Sequence, residues 1–157
     1  MSTTDYAEVA IKPPLLFLGA LALGSVLTLI LPIGPGLASP NGPGLAVGFI
    51  FMALGLTLAI FSVRAFHRAG TDVVPGHPAT ALVITGPYHI TRNPIYVGFV
   101  LVYFGLSIVL TSIWVLVLLI PVLMILQRGV VMAEEAYLER KFGDAYRRYT
   151  ERVPRWL

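Results

Sequence analysis

Two long stretches of this chain, Pro13 to Val63 and Asn93 to Gln127, contain no formally charged residue. The first divides into two apolar runs. Leu15 to Ile33 is long enough to cross roughly 30 Å of hydrocarbon as a helix rising about 1.5 Å per residue, and Pro32, Gly34, Pro35 and Gly36 stop it. An uncharged loop through Ala38, Pro40 and Asn41 leads to a second span, Gly44 to Phe66, whose end is marked by Arg64, His67 and Arg68. The second stretch is too long for one ordinary span and short for two ideal ones. Its pattern predicts a tight helical hairpin turning near Thr111 and Ser112, with the returning helix running past the membrane. Pro121 kinks that helix or is absorbed by packing.

Between the hairpins, Ala69 to Asn93 is polar and broken by Pro75, Pro78 and Pro87, with one short apolar run from Ala81 to Ile84. Unpaired backbone cannot sit in lipid, so this segment belongs at the interface or inside protein. After the last span, Met132 to Val153 keeps helical spacing. Glu135, Leu138, Phe142, Tyr146 and Tyr149 share one face, Glu139, Lys141, Arg147 and Arg148 the other, and Gly143 is the weak point. The expectation is an all-α integral membrane bundle forming one domain over 1–157. It has about four transmembrane helices, with an N-terminal hairpin (15–66), an interfacial loop (67–94), and a second hairpin ending in an amphipathic helix (95–157).

Composition agrees. The chain has 157 residues, of which 57% are hydrophobic and 12% charged, and its mean hydropathy is +0.82; a soluble domain cannot hide that much apolar surface. Met1 to Lys12 carries Asp5, Glu8 and Lys12 and lacks the pattern of a cleaved signal peptide, so the first span is expected to be retained. With no cysteine there is no disulfide scaffold, thiolate zinc site or cysteine nucleophile. The three histidines, His67, His77 and His89, lack metal-site spacing on one helix. A net charge of +3 suits anionic lipid headgroups and is too sparse for nucleic acid. Arg64, Arg68, Arg92, Arg128 and the basic cluster from Arg140 to Arg155 all fall on one side of a four-span arrangement, whereas the opposite turns have no Lys or Arg. By the positive-inside rule both termini are cytoplasmic, as in a bacterial inner membrane. Gly19 and Gly24, with Gly44, Gly48 and Gly55, suit close helix packing.

The clustered polar groups are the candidate chemistry. Gly86, Pro87, Tyr88, Arg92, Asn93, Pro94 and Tyr96 crowd the entrance of the third span, and Arg128, Glu134 and Glu135 sit near the exit of the fourth. A tight hairpin brings the two groups together. Ionisable groups at that depth are costly, so they are expected to be paired or in a cavity. Each also has a plainer reading: Arg92 as a snorkelling anchor, Tyr88 and Tyr96 as aromatic-belt residues, and the glutamates as the solvated first turn beyond the membrane.

The runs Phe66-His67-Arg68-Ala69-Gly70-Thr71-Asp72, Leu82 to Tyr88, Thr91-Arg92-Asn93-Pro94-Ile95-Tyr96-Val97-Gly98, and Glu134-Glu135 followed by Leu138, Phe142, Gly143, Tyr146 and Tyr149 resemble the isoprenylcysteine carboxyl methyltransferase and phospholipid methyltransferase superfamily of integral membrane enzymes. The resemblance runs from Phe66 to Trp156. It implies S-adenosylmethionine in a pocket of the C-terminal half, capped by the loop and tail, with a lipophilic substrate entering from the bilayer. Carried over, Leu82, Val83, Gly86, Tyr88, Asn93, Tyr96 and Glu135 would surround the cofactor, and Arg92 and Glu134 would bridge pocket and substrate. Many relatives have His where Asn93 stands; Asn keeps hydrogen bonding and loses titration, which argues against a general base there.

Methyl transfer from a sulfonium is an in-line displacement helped by alignment and exclusion of water. A carboxylate acceptor needs only a cation such as Arg92 or Arg128 to hold it. An amine acceptor must lose a proton, for which Glu134 is the candidate base. Carboxylate O-methylation is the favoured expectation and phospholipid N-methylation the alternative. Two further readings are a non-catalytic membrane protein that recruits lipid or a partner through its basic tail, and an NADPH-dependent reductase related to the sterol reductases.

Overall fold

The computed structural model describes residues 6, 9, 11–33, 42–73 and 77–157. Four long apolar elements dominate: α1 (Pro13–Ile30), α2 (Pro43–Ala69), α3 (Pro94–Val109) and α4 (Ile113–Leu126). A π-helical turn (Gln127–Val131) joins α4 without a break to α5 (Met132–Phe142), and α6 (Asp144–Thr150) follows. A single 3-10 turn, Gly86–His89, lies in the connection between α2 and α3. Among the described residues there is no strand. The loop through Ala38, Pro40 and Asn41, most of Met1–Lys12, and Pro75 lie outside the described residues.

Local chemistry sets the boundaries. The helices α1, α2 and α3 each begin on a proline, whose missing N–H would have had no partner in a first turn anyway. Helix α2 ends at Gly70 in the left-handed region (φ +67°), where the Gly70 and Thr71 amides return to the carbonyls of His67 and Phe66. The hairpin turns at the expected place. Thr111 takes φ +49°, and Ser112 caps α4 by accepting from the Val115 amide at 3.1 Å while its hydroxyl also meets Thr28 on α1.

Three helices are long and apolar enough to cross a membrane: Pro13–Ile30, Pro43–Ala69 and the continuous Ile113–Phe142. Helix α3 is apolar but has 16 residues, about 24 Å of rise. Their outer faces expose Leu15, Leu18, Leu23, Leu29, Phe49, Ile50, Leu54 and Phe61 among others, an apolar surface suited to lipid. Helix α2 packs antiparallel on α3 through two glycine pairs. A Cβ at Gly55 would lie 2.5 Å from the Gly98 carbonyl oxygen, and one at Gly105 would lie 2.5 Å from that of Gly48. Helix α1 lies on α4 where Gly24 meets Val115. Phe17, Tyr96, Tyr103, Val115, Leu119, Val122, Leu126, Val130 and Val131 form the main core.

Some expectations need correction. The first two helices start and end a few residues from the expected 15–33 and 44–66. Among the described residues, no atom lies within 4 Å of a notional Cβ at Gly19. The tail helix does not run on to Val153. It breaks at Gly143, whose φ of +51° favours glycine, and α6 stops at Thr150. Pro121 is exposed within an unbroken α4.

Candidate functional site

At the end of the bundle where α2 finishes and α3 begins, a cavity of about 130 Å³ lies under the α2–α3 connection. Its walls come from five places, one of them Phe66 near the end of α2. The start of α3 supplies Ile95 and Tyr96, α5 supplies Glu134, Glu135, Tyr137 and Leu138, and α6 supplies Tyr146 and Tyr149. The connection closes the rest with Asp72, Val73, His77, Ala79, Ala81, Leu82, Val83, Tyr88 and Arg92.

The connection is held down at both ends. Tyr88 and Val83 pack on Ala65 of α2, with the Tyr88 ring edge-on to Phe66 at 5.4 Å. The Ala79 amide donates to the Tyr137 hydroxyl at 2.9 Å, and the Tyr149 hydroxyl donates to the Tyr88 carbonyl at 2.8 Å. Leu82 packs on the cluster of Tyr146, Tyr149 and Val153. The face foreseen for the tail, from Glu135 through Tyr149, is thus turned inward onto the loop.

The two glutamates do different things. The Tyr96 hydroxyl donates to Glu134 Oε1 at 2.7 Å, joining α3 to α5. Glu135 is held by two arginines. Arg92 Nη1 lies 2.9 Å from Oε1, and Arg155 donates through Nε to Oε1 at 2.9 Å and through Nη2 to Oε2 at 2.7 Å. The Arg92 and Glu135 side chains are only 14% and 16% exposed, so this is a largely desolvated, hydrogen-bonded ion cluster. Arg92 Nε is buried and, among the described residues, has no hydrogen-bond partner. The phenols around the cavity stay neutral: burial pushes Tyr88 up, with Glu134 adding to it. Burial likewise raises Tyr149 and Tyr146, the latter partly offset by a hydrogen bond from Arg92.

Of the ten residues singled out from the sequence, Leu82, Val83, Tyr88, Arg92, Asn93, Tyr96, Glu134 and Glu135 line this one cavity. Two do not. Arg128 is exposed on the π turn and faces away. The reason is geometric: α-helical spacing puts positions seven apart on one face, but the π turn, closed by Met132 N–H to Gln127 O, inserts one residue and rotates the remainder of the helix by about 100°. That rotation buries Val130 and Val131 together and separates Arg128 from Glu135. Gly86 is not in the wall; its role is the turn, at φ +62°. Asn93 directs its amide to the Arg155 carbonyl at 2.9 Å, which matches a structural donor. Sequence reasoning missed Arg155, Tyr137 and the wall formed by Asp72, Val73, His77, Ala79 and Ala81. Tyr137 and Arg155 had no motif to mark them, since both answer to tertiary contacts.

This arrangement can be set beside known proteins. The model of the family described as Phospholipid methyltransferase matches residues 43–145, which is from the start of α2 into α6. The chain belongs to the phospholipid methyltransferase family. Membership agrees with the resemblance carried by Arg92, Pro94, Tyr96 and the paired glutamates. A protein of Haemophilus influenzae described only as an uncharacterized protein is 49% identical over 35 residues, 22% of this chain; the match spans 56% of that protein's length. No solved structure matches the chain.

The residues of the cavity suit the methyl donor such methyltransferases generally use, S-adenosylmethionine. Its sulfonium and ammonium would meet Glu134, Glu135 and the faces of Tyr88, Tyr96, Tyr146 and Tyr149.

Proposed function

We propose that this chain is an S-adenosylmethionine-dependent methyltransferase acting on a lipophilic small molecule or lipid that enters from the bilayer, with the cavity at the cytoplasmic face. One observation carries the reading: Arg92, Tyr96, Glu134 and Glu135, from three separate elements, converge on one cavity at the rim of the membrane helices. The distribution of arginines supports the cytoplasmic orientation.

The cofactor supplies an electrophilic methyl group when bound. The chain contributes binding, alignment and exclusion of water. Glu135, oriented by its arginines, is the hydrogen-bond acceptor for the cofactor. Arg92 offers its unpartnered Nε to an anionic group. Glu134, fixed by Tyr96, faces the acceptor. The space of about 130 Å³ is smaller than the roughly 300 Å³ at which ligand pockets usually begin, so binding draws back the wall formed by His77 to Val83.

Carboxylate O-methylation is favoured, because such an acceptor needs no base. Phospholipid N-methylation is the second reading, favoured by the family match and by Glu134, a carboxylate able to take an amine proton. The test incubates purified protein with isotopically labelled S-adenosylmethionine and extracted membrane lipids, and identifies the labelled product by mass spectrometry. A labelled ester supports the first reading and a labelled amine the second. No labelled lipid, together with no calorimetric or thermal response to S-adenosylhomocysteine, refutes both.

A further inference from the structure

The segment after α6 packs behind the cavity wall and touches it through Glu135. Beyond α6 the backbone reverses, and its carbonyls are taken up by the residues that enter α3. The Arg92 amide donates to Pro154 O at 2.9 Å, and Thr91 Oγ1 and Asn93 Nδ2 both donate to Arg155 O at 2.9 Å. On either side of Arg155, Val153 is buried with Tyr146 and Tyr149, and Trp156 Nε1 donates to Gln127 Oε1 at 2.9 Å. The other arginines of the tail, Arg140, Arg147, Arg148 and Arg152, are exposed. Arg155 alone among them is turned inward, and its guanidinium grips both oxygens of Glu135. The contact lies outside the span matched by the family, which ends at residue 145.

A carboxylate offers about four acceptor directions. Arg155 donates one hydrogen bond to each oxygen of Glu135, and Arg92 Nη1 is ion-paired with Oε1 at 2.9 Å. One direction is left, on Oε2. We propose that Arg155 is a positioning residue of the site, which together with Arg92 orients Glu135 so that a single acceptor direction on Oε2 remains for a hydroxyl or ammonium donor of the bound cofactor. The proposal rests on the reading of the cavity as a cofactor site. A two-pronged guanidinium fixes the plane of the carboxylate as well as its charge, which a lysine ammonium cannot do.

The test uses the full-length protein in detergent and S-adenosylhomocysteine as the calorimetric probe, with R155Q, R155K, E135Q and the double variant E135Q/R155Q. R155Q is expected to weaken binding about tenfold, the scale of one charge-assisted hydrogen bond, and R155K to recover only part of that. In the E135Q background the added R155Q changes affinity by less than about twofold, because Arg155 acts through Glu135. Unchanged affinity in R155Q, tighter binding (Arg155 then being a competitor for Glu135), or an equal loss in both backgrounds overturns the proposal. If R155Q does not fold, R155K carries the same comparison. Wild-type protein that binds no S-adenosylhomocysteine refutes the cofactor reading itself, an outcome visible without any substitution. The 155–135 coupling is then read from melting temperatures: a double variant no less stable than the weaker single one supports orientation of Glu135 by Arg155, and additive losses overturn it.

Discussion

Removing one oxygen atom, in Tyr96→Phe, tests the contact between α3 and α5. The Tyr96 hydroxyl donates to Glu134 Oε1 at 2.7 Å, and the Tyr96 side chain is buried against Phe99 in the main core. Phenylalanine fills the same space and leaves the ring packing intact, so the loss is confined to the hydrogen bond. A hydrogen bond to a charged group contributes about 1.5–3 kcal/mol, and a buried acceptor left without its partner adds to the cost. The expectation is a destabilisation of about 2 kcal/mol, roughly thirtyfold in the folding equilibrium at 1.4 kcal/mol per decade. The assay is a double-mutant cycle of Tyr96→Phe and Glu134→Gln, followed by reversible denaturation in detergent and by turnover of labelled methyl groups. Glutamine keeps an acceptor but not the charge, so the cycle should show a coupling of about 1 kcal/mol or more. A coupling below about 0.5 kcal/mol would show that the hydroxyl does not hold Glu134, and the assignment of Glu134 to the acceptor side would fall with it.

Four other outcomes are expected. Gly55→Ala drives a methyl group to within 2.5 Å of the Gly98 carbonyl oxygen; thermal unfolding should report a loss of about 1–3 kcal/mol, and a neutral result would mean that α2 and α3 are not so close. Arg128→Gln should leave S-adenosylhomocysteine affinity within about twofold in calorimetry, the effect of an exposed side chain outside the cavity, whereas a tenfold loss would return this arginine to the site. Stability should fall as pH rises beyond about 10, because Tyr88 and Tyr149, raised by burial, keep their protons in the folded chain while the unfolded chain releases them; melting curves from pH 8 to 11 with Tyr149→Phe as control check this, and a flat profile refutes it. Deleting Gly129 should abolish cofactor binding while leaving helical content by circular dichroism nearly unchanged, and full binding by that deletion would dismiss the role given to the π turn.

How much of this was legible in the sequence depended on whether the signal was local. The uncharged runs announced the spans, Thr111 and Ser112 announced the hairpin turn, and Gly143 announced the break in the tail, because lipid solvation, capping and positive φ each act on neighbouring residues. The convergence of Arg92, Tyr96 and the two glutamates was also legible, since a short hairpin leaves the ends of α3 and α4 side by side. Arg128 was grouped with the glutamates because all three lie near the exit of the fourth span, and nothing in Gln127 to Val131 declares the i→i+5 bonding of the π turn. Arg155 looked like one more basic residue in a basic tail; its inward turn depends on carbonyls that Thr91, Arg92 and Asn93 capture from more than sixty positions earlier in the chain.

The paired glycines between α2 and α3 carry a consequence for how anything gets in. Gly48 faces Gly105 and Gly55 faces Gly98, so both contacts sit one heptad apart on each helix and backbone touches backbone at two heights. A slip of one residue would swing a side chain onto a carbonyl at both places at once, which locks the register like two teeth of a gear. These two helices therefore cannot part or slide to admit a ligand. Whatever traffic reaches the cavity must be accommodated by the connection above it or by the splay of α1, with the α2–α3 pair as the fixed frame against which the rest moves.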